Sequence, residues 1–392
     1  MTPFNPVFAR LPTTIFTVMS MLAAAHKAVN LGQGFPDSDG PESIRDAAGR
    51  ALAEGPNQYA PMTGMPALRH AVAAHSARFY GLDYDPEGEV LVTSGGTEAL
   101  AASILALVPR GAEIVLVEPS YDAYRPLAEA AGLTVRPLTL APPGWRLTEA
   151  ALRAAITPAT RAILVNSPLN PVGRVFDGGE LAALARLAVD KDLLVICDEV
   201  YEHLTFDGRA HVPLATLPGM RGRTVRIGSA GKIFSLTGWK VGWLEGPRPL
   251  VEVIGRAHQF LTFATPPALQ LGVAHGLEQA MDFPEKLRAG LQKNRDRLAA
   301  GLAEAGFEVL PAEGTYFLTA RIDRHLKTQD GAAERDRAFC ARLVREAGVA
   351  AIPLSAFFSA GTPDNYVRFA FCKRRETIEE ALTRLRAWGR HG

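Results

Sequence analysis

The sequence predicts an α/β protein with a mostly parallel sheet covered by helices on both faces, followed by a smaller α+β domain. Short β-branched, apolar runs alternate with helical patterns through the middle of the chain. After about residue 284 the pattern changes to a long charged helix followed by mixed strands and helices. Near-continuous apolar strands separated by helices are typical of parallel sheets that are buried on both faces.

Five strands are predicted in the first part of the chain. They cover residues 89–93, 113–117, 161–165, 193–197 and 224–228, and helical patterns cover 97–108, 121–131 and 180–189. In a sheet of this kind the binding site is expected in the loops at the carboxyl ends of the strands.

The two ends of the chain have different patterns. The first 45 residues are loop-rich and are expected to cross to another domain or to embrace a partner subunit. The C-terminal part predicts helices over 284–305, 335–347 and from 377, and strands near 307–310, 315–319, 349–352 and 366–370. We therefore predict an N-terminal segment (1–45), a large domain (46–284) and a small domain (285–392).

Composition argues against several classes of function. The 42 basic and 41 acidic side chains give a net charge of +1, which predicts no nucleic-acid partner and no membrane surface. Three widely spaced cysteines predict neither a disulfide framework nor a Cys-x-x-Cys metal site. No secretory pattern is present at the start, and no apolar run approaches the ~20 residues that span a bilayer. A cytoplasmic protein is expected.

A glycine-rich turn follows the first strand and opens a helix. It contains Gly95, Gly96 and Thr97. Backbone N–H groups at a helix N-terminus suit a phosphate. The alternative is a tight turn in which Thr97 merely caps the helix.

Polar residues also follow the strands predicted at 161–165 and 193–197. Residues 166–173 form a rigid Asn- and Pro-rich loop that could hold Asn170 towards a ligand, although such a loop is also an ordinary turn. Asp198 ends a buried strand, where a carboxylate is costly unless paired, so a cationic partner such as a protonated pyridine nitrogen is expected. A metal site formed by Asp198, Glu202 and His203 is the alternative, but no zinc-motif spacing accompanies it.

The last predicted strand leads to the pair Gly231-Lys232. A P-loop would need Gly where Arg226 stands and Ser or Thr where Ile233 stands, so the P-loop interpretation fails. A turn of small residues with apolar neighbours instead fits a lysine that forms a Schiff base. Burial beside another cation lowers the pKa of a lysine and frees its amine to attack a carbonyl.

Four motifs follow one another along these loops: Asn170-Pro, Asp198-x-x-Tyr201, Ser229-x-x-Lys232 and Gly238-Trp-Lys-Val-Gly242. In this order they resemble the motifs of the class I/II, fold-type I, pyridoxal-phosphate (PLP)-dependent aminotransferases. The resemblance covers nearly the whole chain. Segments 58–64, 120–122, 237–242 and 313–317 further resemble the branch of methionine aminotransferases and kynurenine aminotransferase/glutamine transaminase K. The resemblance implies a seven-stranded sheet, PLP as cofactor and a homodimer.

The resemblance also implies roles for individual residues. Lys232 would form the Schiff base and move the proton at the substrate Cα. Asp198 would pair with the pyridinium nitrogen, and Asn170 and Tyr201 would hydrogen-bond the phenolic oxygen. The other implied cofactor contacts are Tyr121 on the ring and, at the phosphate, Gly95, Gly96, Thr97, Ser229, Lys240 and Tyr59 of the partner subunit. Many family members have Arg where Lys240 stands, but the kynurenine/glutamine branch shares the lysine.

The implied substrate site centres on Arg368, which would bind the α-carboxylate through two hydrogen bonds. Gly34, Asn166 and Asn170 would complete this site. Phe16 of the same subunit and Phe263 of the partner subunit would form walls of the side-chain pocket. An apolar pocket of this kind favours methionine, phenylalanine, glutamine or kynurenine. Residues 259–266 contain no arginine that could pair with a dicarboxylic side chain.

The expected function is therefore ping-pong transfer of an α-amino group from methionine, or another bulky neutral or aromatic amino acid, to a 2-oxo acid. The alternative is a kynurenine/glutamine transaminase with cysteine S-conjugate β-lyase activity, which begins with loss of the same Cα proton. A PLP-binding regulator is disfavoured, because the motifs begin near residue 31 and leave no room for a preceding DNA-binding domain.

Overall fold

A computed structural model of the chain describes residues 4–55, 57–329, 332–359 and 363–389. The helices are α1 (Pro6–Arg10), α2 (Ile15–Ala25), α3 (Glu42–Glu54), α4 (Pro66–Tyr80), α5 (Gly96–Leu107), α6 (Tyr124–Ala130), α7 (Glu149–Ala155), α8 (Gly178–Asp190), α9 (Ala230–Ile233), α10 (Arg248–Leu261), α11 (Pro267–Gln279), α12 (Asp282–Glu304), α13 (Asp336–Ala347) and α14 (Arg375–Gly389). The strands are β1 (Val29–Asn30), β2 (Val90–Thr93), β3 (Glu113–Glu118), β4 (Thr134–Thr139), β5 (Thr160–Asn166), β6 (Leu194–Asp198), β7 (Thr224–Ser229), β8 (Gly242–Glu245), β9 (Glu308–Val309), β10 (Phe317–Arg321), β11 (Thr328–Gln329), β12 (Ala332–Ala333), β13 (Val349–Ala350), β14 (Ile352–Pro353) and β15 (Tyr366–Ala370).

The main sheet has seven strands in the order β2-β8-β7-β6-β5-β3-β4. Strand β8 runs antiparallel to both of its neighbours, and the other pairings are parallel. Strands β2, β6 and β7 are almost entirely buried, as expected for a sheet flanked by helices. The predicted fold class, a mostly parallel seven-stranded sheet of fold type I, is confirmed.

Two of the seven strands have no counterpart among the five predicted from the sequence. Strand β4 is an edge strand that contains Pro137 and Arg136, and its side chains are mostly part-exposed. An edge position tolerates proline, so β4 lacks the continuous apolar run of an inner strand. Strand β8 is short and buried, and its four residues include a glycine and a glutamate.

A second sheet lies in the C-terminal part and is antiparallel, with the order β14-β15-β10-β9. Helices α12 and α13 pack with these strands, and α14 packs with both helices. The predicted strand at 315–319 begins two residues later, because Thr315 and Tyr316 belong to the turn before β10. Strand β15 places Arg368 opposite Thr319 and Ile352.

The expectation of a loop-rich N-terminal segment is wrong for α2. Thr14 caps this helix by accepting a hydrogen bond from the Thr17 amide. The helix is apolar around most of its circumference, which hid its periodicity, and Met19 and Ala23 are buried. Strand β1 then pairs in parallel with β13. The division of the chain at residues 45 and 284 remains a prediction.

One helical stretch is long and apolar enough to span a membrane, judged by length and composition alone. It covers Pro6–Ala25, has a mean hydropathy of 1.5 and lies near the N-terminus. It was not expected from the sequence. The stretch is interrupted between α1 and α2, and the buried face of α2 packs against α13. A single stretch of this kind is weak support for a membrane span.

Candidate active site

A cavity of about 410 Å³ lies at the carboxyl ends of the central strands. Asn166, Asp198 and Ser229 are the last residues of β5, β6 and β7, so parallel pairing brings them to one edge of the sheet. The predicted residues that line the cavity are Phe16, Gly34, Gly95, Gly96, Thr97, Tyr121, Asn166, Asn170, Asp198, Tyr201, Ser229, Lys232, Lys240 and Arg368.

The glycine-rich turn between β2 and α5 forms one end of the cavity. Gly95 has φ +78°, a conformation that glycine adopts without strain. A Cβ atom at Gly95 would lie 3.4 Å from Lys240 Cε and 3.5 Å from its Nζ, so the ammonium group lies against this turn. Free amides at the start of α5 add further positive potential. The turn therefore fits a phosphate.

Asp198 lies on the floor of the cavity and is buried. The Tyr124 hydroxyl donates to its Oδ2 at 2.6 Å, and the Val200 amide is 3.4 Å from its Oδ1. Burial raises the pKa of Asp198 above its ordinary value, although both hydrogen bonds lower it. A cation placed against this carboxylate would offset the cost of its desolvation.

Lys232 lies in α9, directly after β7. Its Nζ donates to the Tyr316 hydroxyl at 2.8 Å, and that hydroxyl donates to the Gly34 carbonyl at 2.7 Å. Burial lowers the pKa of Lys232 to about 8, and the charges of Lys240 and Arg368 lower it as well. A substantial fraction of neutral amine is therefore available near neutral pH.

Arg368 closes the opposite side of the cavity and is 1% exposed. Its guanidinium donates to Asn170 Oδ1 at 3.0 Å and to the Gly32 carbonyl at 2.8 Å, and it stacks 3.9 Å from the centre of the Phe317 ring. Its Nε has no hydrogen-bond partner. Burial lowers the pKa of Arg368 to about 10, which leaves the group charged. A buried cation without a carboxylate partner fits a substrate carboxylate.

The loop after β5 is held by its two asparagines. Asn166 donates through Nδ2 to the Asp198 carbonyl at 2.8 Å and accepts from the Asn170 amide at 2.7 Å. Asn170 in turn accepts from Arg368. Through these two contacts Asn166 fixes the shape of the loop that presents Asn170.

Three functional residues escaped the sequence analysis: Tyr124, Tyr316 and Phe317, which contact Asp198, Lys232 and Arg368, respectively. Tyr316 and Phe317 lie in segment 313–317, which had been noticed only for its resemblance. Tyr124 lies three residues after Tyr121, a spacing that can place two side chains on one side of a helical turn.

Tyr59 and Phe263 do not line the cavity of their own chain. Tyr59 is 87% exposed, Phe263 is 38% exposed, and their ring centroids are 5.4 Å apart. Their predicted place in the site of a partner subunit remains a prediction.

The alternative of a metal at Asp198 gains no support. Among the described residues, the three side chains that could share a metal ion are His75, Glu202 and His203, with ligand atoms within 4.8 Å of one another, and Asp198 is not in this group. The Nε2 atoms of the two histidines are 2.7 Å apart, a hydrogen-bond distance. Glu202 already pairs with Arg226 at 3.1 Å.

The residues of the cavity fit PLP together with an amino acid. Lys232 offers a partly neutral amine to the aldehyde, Asp198 a carboxylate to the ring nitrogen, and the turn at Gly95 with Lys240 a phosphate cradle. The Arg368 guanidinium lines the cavity without a carboxylate ion-paired to it among the described residues, so it suits the substrate carboxylate.

Comparison with known proteins agrees with this geometry. Residues 26–385 match the family model "Aminotransferase class I and II". The chain is 48% identical over 384 residues to a probable N-succinyldiaminopimelate aminotransferase of Mycobacterium tuberculosis, with 95% of each chain covered. It is 41% identical to the methionine aminotransferase of Escherichia coli K12, with 96% of each chain covered. The solved structure of N-succinyldiaminopimelate aminotransferase from Mycobacterium tuberculosis superposes with a TM-score of 0.94 at 47% identity, covering 98% of this chain and 100% of the other. The chain therefore belongs to the class I and II aminotransferases, a family of PLP-dependent transferases.

Proposed function

We propose that this enzyme transfers the α-amino group of methionine, or of another bulky neutral or aromatic amino acid, to a 2-oxo acid by a ping-pong mechanism. The cations around the cavity are the main support. Among the described residues, the basic side chains that line it are Lys232, Lys240 and Arg368. The cofactor aldehyde, the phosphate and the α-carboxylate each need one, which leaves none for an acidic side chain. Phe16 and Phe317 add aromatic walls that suit an apolar side chain.

Arg368 would fix the substrate. When bound, PLP supplies an aldehyde that condenses with amines and a ring that accepts electrons from Cα. The guanidinium binds the α-carboxylate, and Asn170 and the Phe317 ring hold the guanidinium in place. A fixed carboxylate orients the Cα–H bond towards Lys232, whose amine takes the proton from Cα and returns a proton later.

Two tyrosines would keep the reacting groups in position. Tyr316 accepts from Lys232 Nζ and so holds the amine near the substrate. Tyr124 donates to Asp198 and fixes its orientation towards the ring nitrogen. An ionised Asp198 keeps that nitrogen protonated, which strengthens the ring as an electron acceptor.

N-succinyldiaminopimelate is the second candidate amino donor. It is favoured by the identity of 48% to the probable N-succinyldiaminopimelate aminotransferase. Besides its reacting α-amino acid end, this donor carries a succinyl amide and two further carboxylates, for which the described cavity lining offers no additional basic side chain. Gln33 and the half-exposed Phe35 lie at the cavity wall and could contact these groups.

A donor panel tests both candidates. The PLP-loaded enzyme is mixed with methionine, phenylalanine, glutamine, kynurenine, aspartate or N-succinyldiaminopimelate, and the absorbance of the bound cofactor is followed in single turnovers. Methionine and phenylalanine are expected to react fastest. Reaction with N-succinyldiaminopimelate alone would establish the second candidate, and no spectral change with any donor would refute both. Pyruvate release from a cysteine S-conjugate without a 2-oxo acid acceptor would instead reveal β-lyase activity.

We also propose a homodimer in which Tyr59 of the partner subunit reaches the cofactor phosphate. The exposed aromatic rings of Tyr59, Phe260 and Phe263 support an interface at this surface. Sedimentation of the PLP-loaded enzyme at twice the mass of 42.1 kDa is expected, and a monomer would exclude the shared site. A cytoplasmic location is proposed because Cys197, Cys340 and Cys372 are free and buried.

A further inference from the structure

One buried histidine outside the cavity joins three segments of the site. His258 lies in α10 and is fully buried. Its Nδ1 is 2.9 Å from Glu98 Oε1, and its Nε2 is 3.0 Å from the Met62 carbonyl oxygen. A carbonyl and an ionised carboxylate only accept hydrogen bonds, so both ring nitrogens must donate. This geometry favours the charged, imidazolium form of His258.

Glu98 connects this cation to the phosphate turn. It lies in the first turn of α5, and its Oε2 accepts from the Ser94 amide at 3.0 Å. A carboxylate here closes the turn but adds negative charge beside the phosphate site. The charge on His258 offsets that effect, so the turn keeps its shape without repelling the phosphate.

His258 also contacts the two segments that carry Tyr59 and Phe263, which do not line the cavity of their own chain. Met62 belongs to the loop that carries Tyr59, and the neighbouring Thr63 carbonyl accepts from the Val92 amide at 3.1 Å. The Phe263 amide donates to the His258 carbonyl at 3.2 Å. One side chain thus ties the phosphate turn to the segment that the proposed dimer lends to its partner.

We propose that His258 is a positioning residue that strengthens cofactor binding in two ways. It fixes the phosphate turn of its own subunit through Glu98, and it fixes the Tyr59 loop through Met62. The second effect rests on the proposed homodimer, whereas the first rests only on the phosphate turn.

The groups that face His258 favour its charged form. Glu98 is the titratable group that faces it; Met62, Thr262 and Phe263 present uncharged groups. Burial lowers the pKa of His258, but Glu98 and the backbone contacts outweigh burial and raise the pKa above its ordinary value. The contribution of the charge to cofactor binding is therefore full below the ordinary histidine pKa of about 6.5 and is lost as the pH rises through the raised pKa.

Cofactor release tests the first effect. The holoenzyme is converted by an amino donor to its pyridoxamine phosphate form, freed of excess ligand, and followed by absorbance as cofactor dissociates. His258→Gln is expected to release cofactor about tenfold faster or more, since a charge-assisted hydrogen bond is lost. The control His75→Gln alters another buried histidine, which contacts His203, and should release cofactor at the original rate. If folded His258→Gln releases cofactor at the same rate as the unmodified enzyme, the proposal is wrong.

A second variant covers the case in which His258→Gln fails to fold. Glu98→Gln keeps the shape of the side chain and removes the anion, so it should also release cofactor faster. Amide exchange over residues 57–65, measured without cofactor, should accelerate in either variant. Unchanged release together with unchanged exchange in Glu98→Gln would overturn the proposal.

The effect through Tyr59 is tested by a double-mutant cycle. Tyr59→Phe, His258→Gln and the double variant are compared for release rate, and a double variant less impaired than the product of the single effects is expected. If the two single effects on the release rate simply multiply in the double variant, His258 does not act through Tyr59. If Tyr59→Phe releases cofactor at the same rate as the unmodified enzyme, the proposed partner contact is wrong. The release rate of His258→Gln would still decide the effect through Glu98.

Discussion

Two buried arginines on different sheets have opposite surroundings. Arg226, in β7, donates to Glu199 at 2.8 Å, Glu245 at 3.0 Å and Glu202 at 3.1 Å. Although burial lowers its pKa, these carboxylates raise the pKa of Arg226 well above its ordinary value. Arg368 is equally buried, but its hydrogen-bond acceptors are an amide and a carbonyl, and its pKa falls to about 10.

The difference teaches how a structural charge differs from one that binds a ligand. Burial alone does not separate the two, since Arg226 is 2% exposed and Arg368 1%. The separation comes from the anions that the protein itself supplies. Arg226 is satisfied within the fold, whereas Arg368 has no ion-paired carboxylate among the described residues, which is why we propose that it, like Asp198 and Lys232 beside it, binds a group of the ligand.

The largest expected effect is on the group that performs the chemistry. Lys232→Ala should lower kcat by roughly 10²–10⁴-fold, because Lys240, the other lysine that lines the cavity, lies against the phosphate turn and not at the proposed Cα position. The free energy of unfolding of Lys232→Ala should differ little from that of the unmodified enzyme. Steady-state assays with the best donor measure the loss, and the exposed Lys191→Ala is the matched control. Normal turnover in Lys232→Ala would contradict the assignment of the whole site.

Breaking the satisfied cluster should have the opposite signature. Arg226→Met should lower the free energy of unfolding by about 3–5 kcal/mol, because it leaves Glu199, Glu202 and Glu245 buried without their cation. The kcat of the folded fraction should stay near its original value. Urea unfolding and active-site titration check the two halves, and an unchanged free energy of unfolding would show that the cluster is not structural.

Breaking the unsatisfied charge should affect binding rather than folding. Arg368→Gln should lower kcat/KM for the amino donor by roughly 30–100-fold, as expected for about 2–3 kcal/mol of lost charge-assisted hydrogen bonding. The free energy of unfolding should fall much less than in Arg226→Met, because no described carboxylate is ion-paired with Arg368 and Asp122 interacts with it only at longer range. Arg368→Lys keeps the charge without the two-pronged geometry and should recover only part of the loss. An Arg368→Gln enzyme that unfolds as readily as Arg226→Met would remove the distinction between the two.

The last expected effect concerns pH and needs no substitution. Because burial lowers the pKa of Lys232 to about 8, the neutral amine fraction rises with pH until about 8 and then levels off. The rate at which the apoprotein captures PLP covalently should therefore rise about tenfold per pH unit below that point and flatten above it. An ordinary lysine, with a pKa near 10.4, would continue to rise. Stopped-flow absorbance measures this rate between pH 6 and about pH 10, the span set by these two pKa values.

Much of the site could be predicted because its residues stand at the ends of strands. Asn166, Asp198 and Ser229 end three neighbouring strands, and that order is visible in the sequence. Helix α2 was missed because it is apolar around most of its circumference, and β4 because an edge strand carries polar residues and a proline. Tyr124 and Tyr316 were missed because no local pattern marks a tyrosine that reaches a distant partner.

The sequence by itself determined the fold class, the order of the loops around the site and the family, because hydrophobic periodicity and motif order are local properties of the chain. Only the tertiary structure decided which charges are satisfied. Arg226 forms ion pairs with three carboxylates from two segments of the chain, whereas Arg368 forms no ion pair with any described residue, although both are arginines in buried strands. Whether a buried charge is stabilised or left for a ligand depends on side chains brought together across long sequence separations, and no local pattern specifies them.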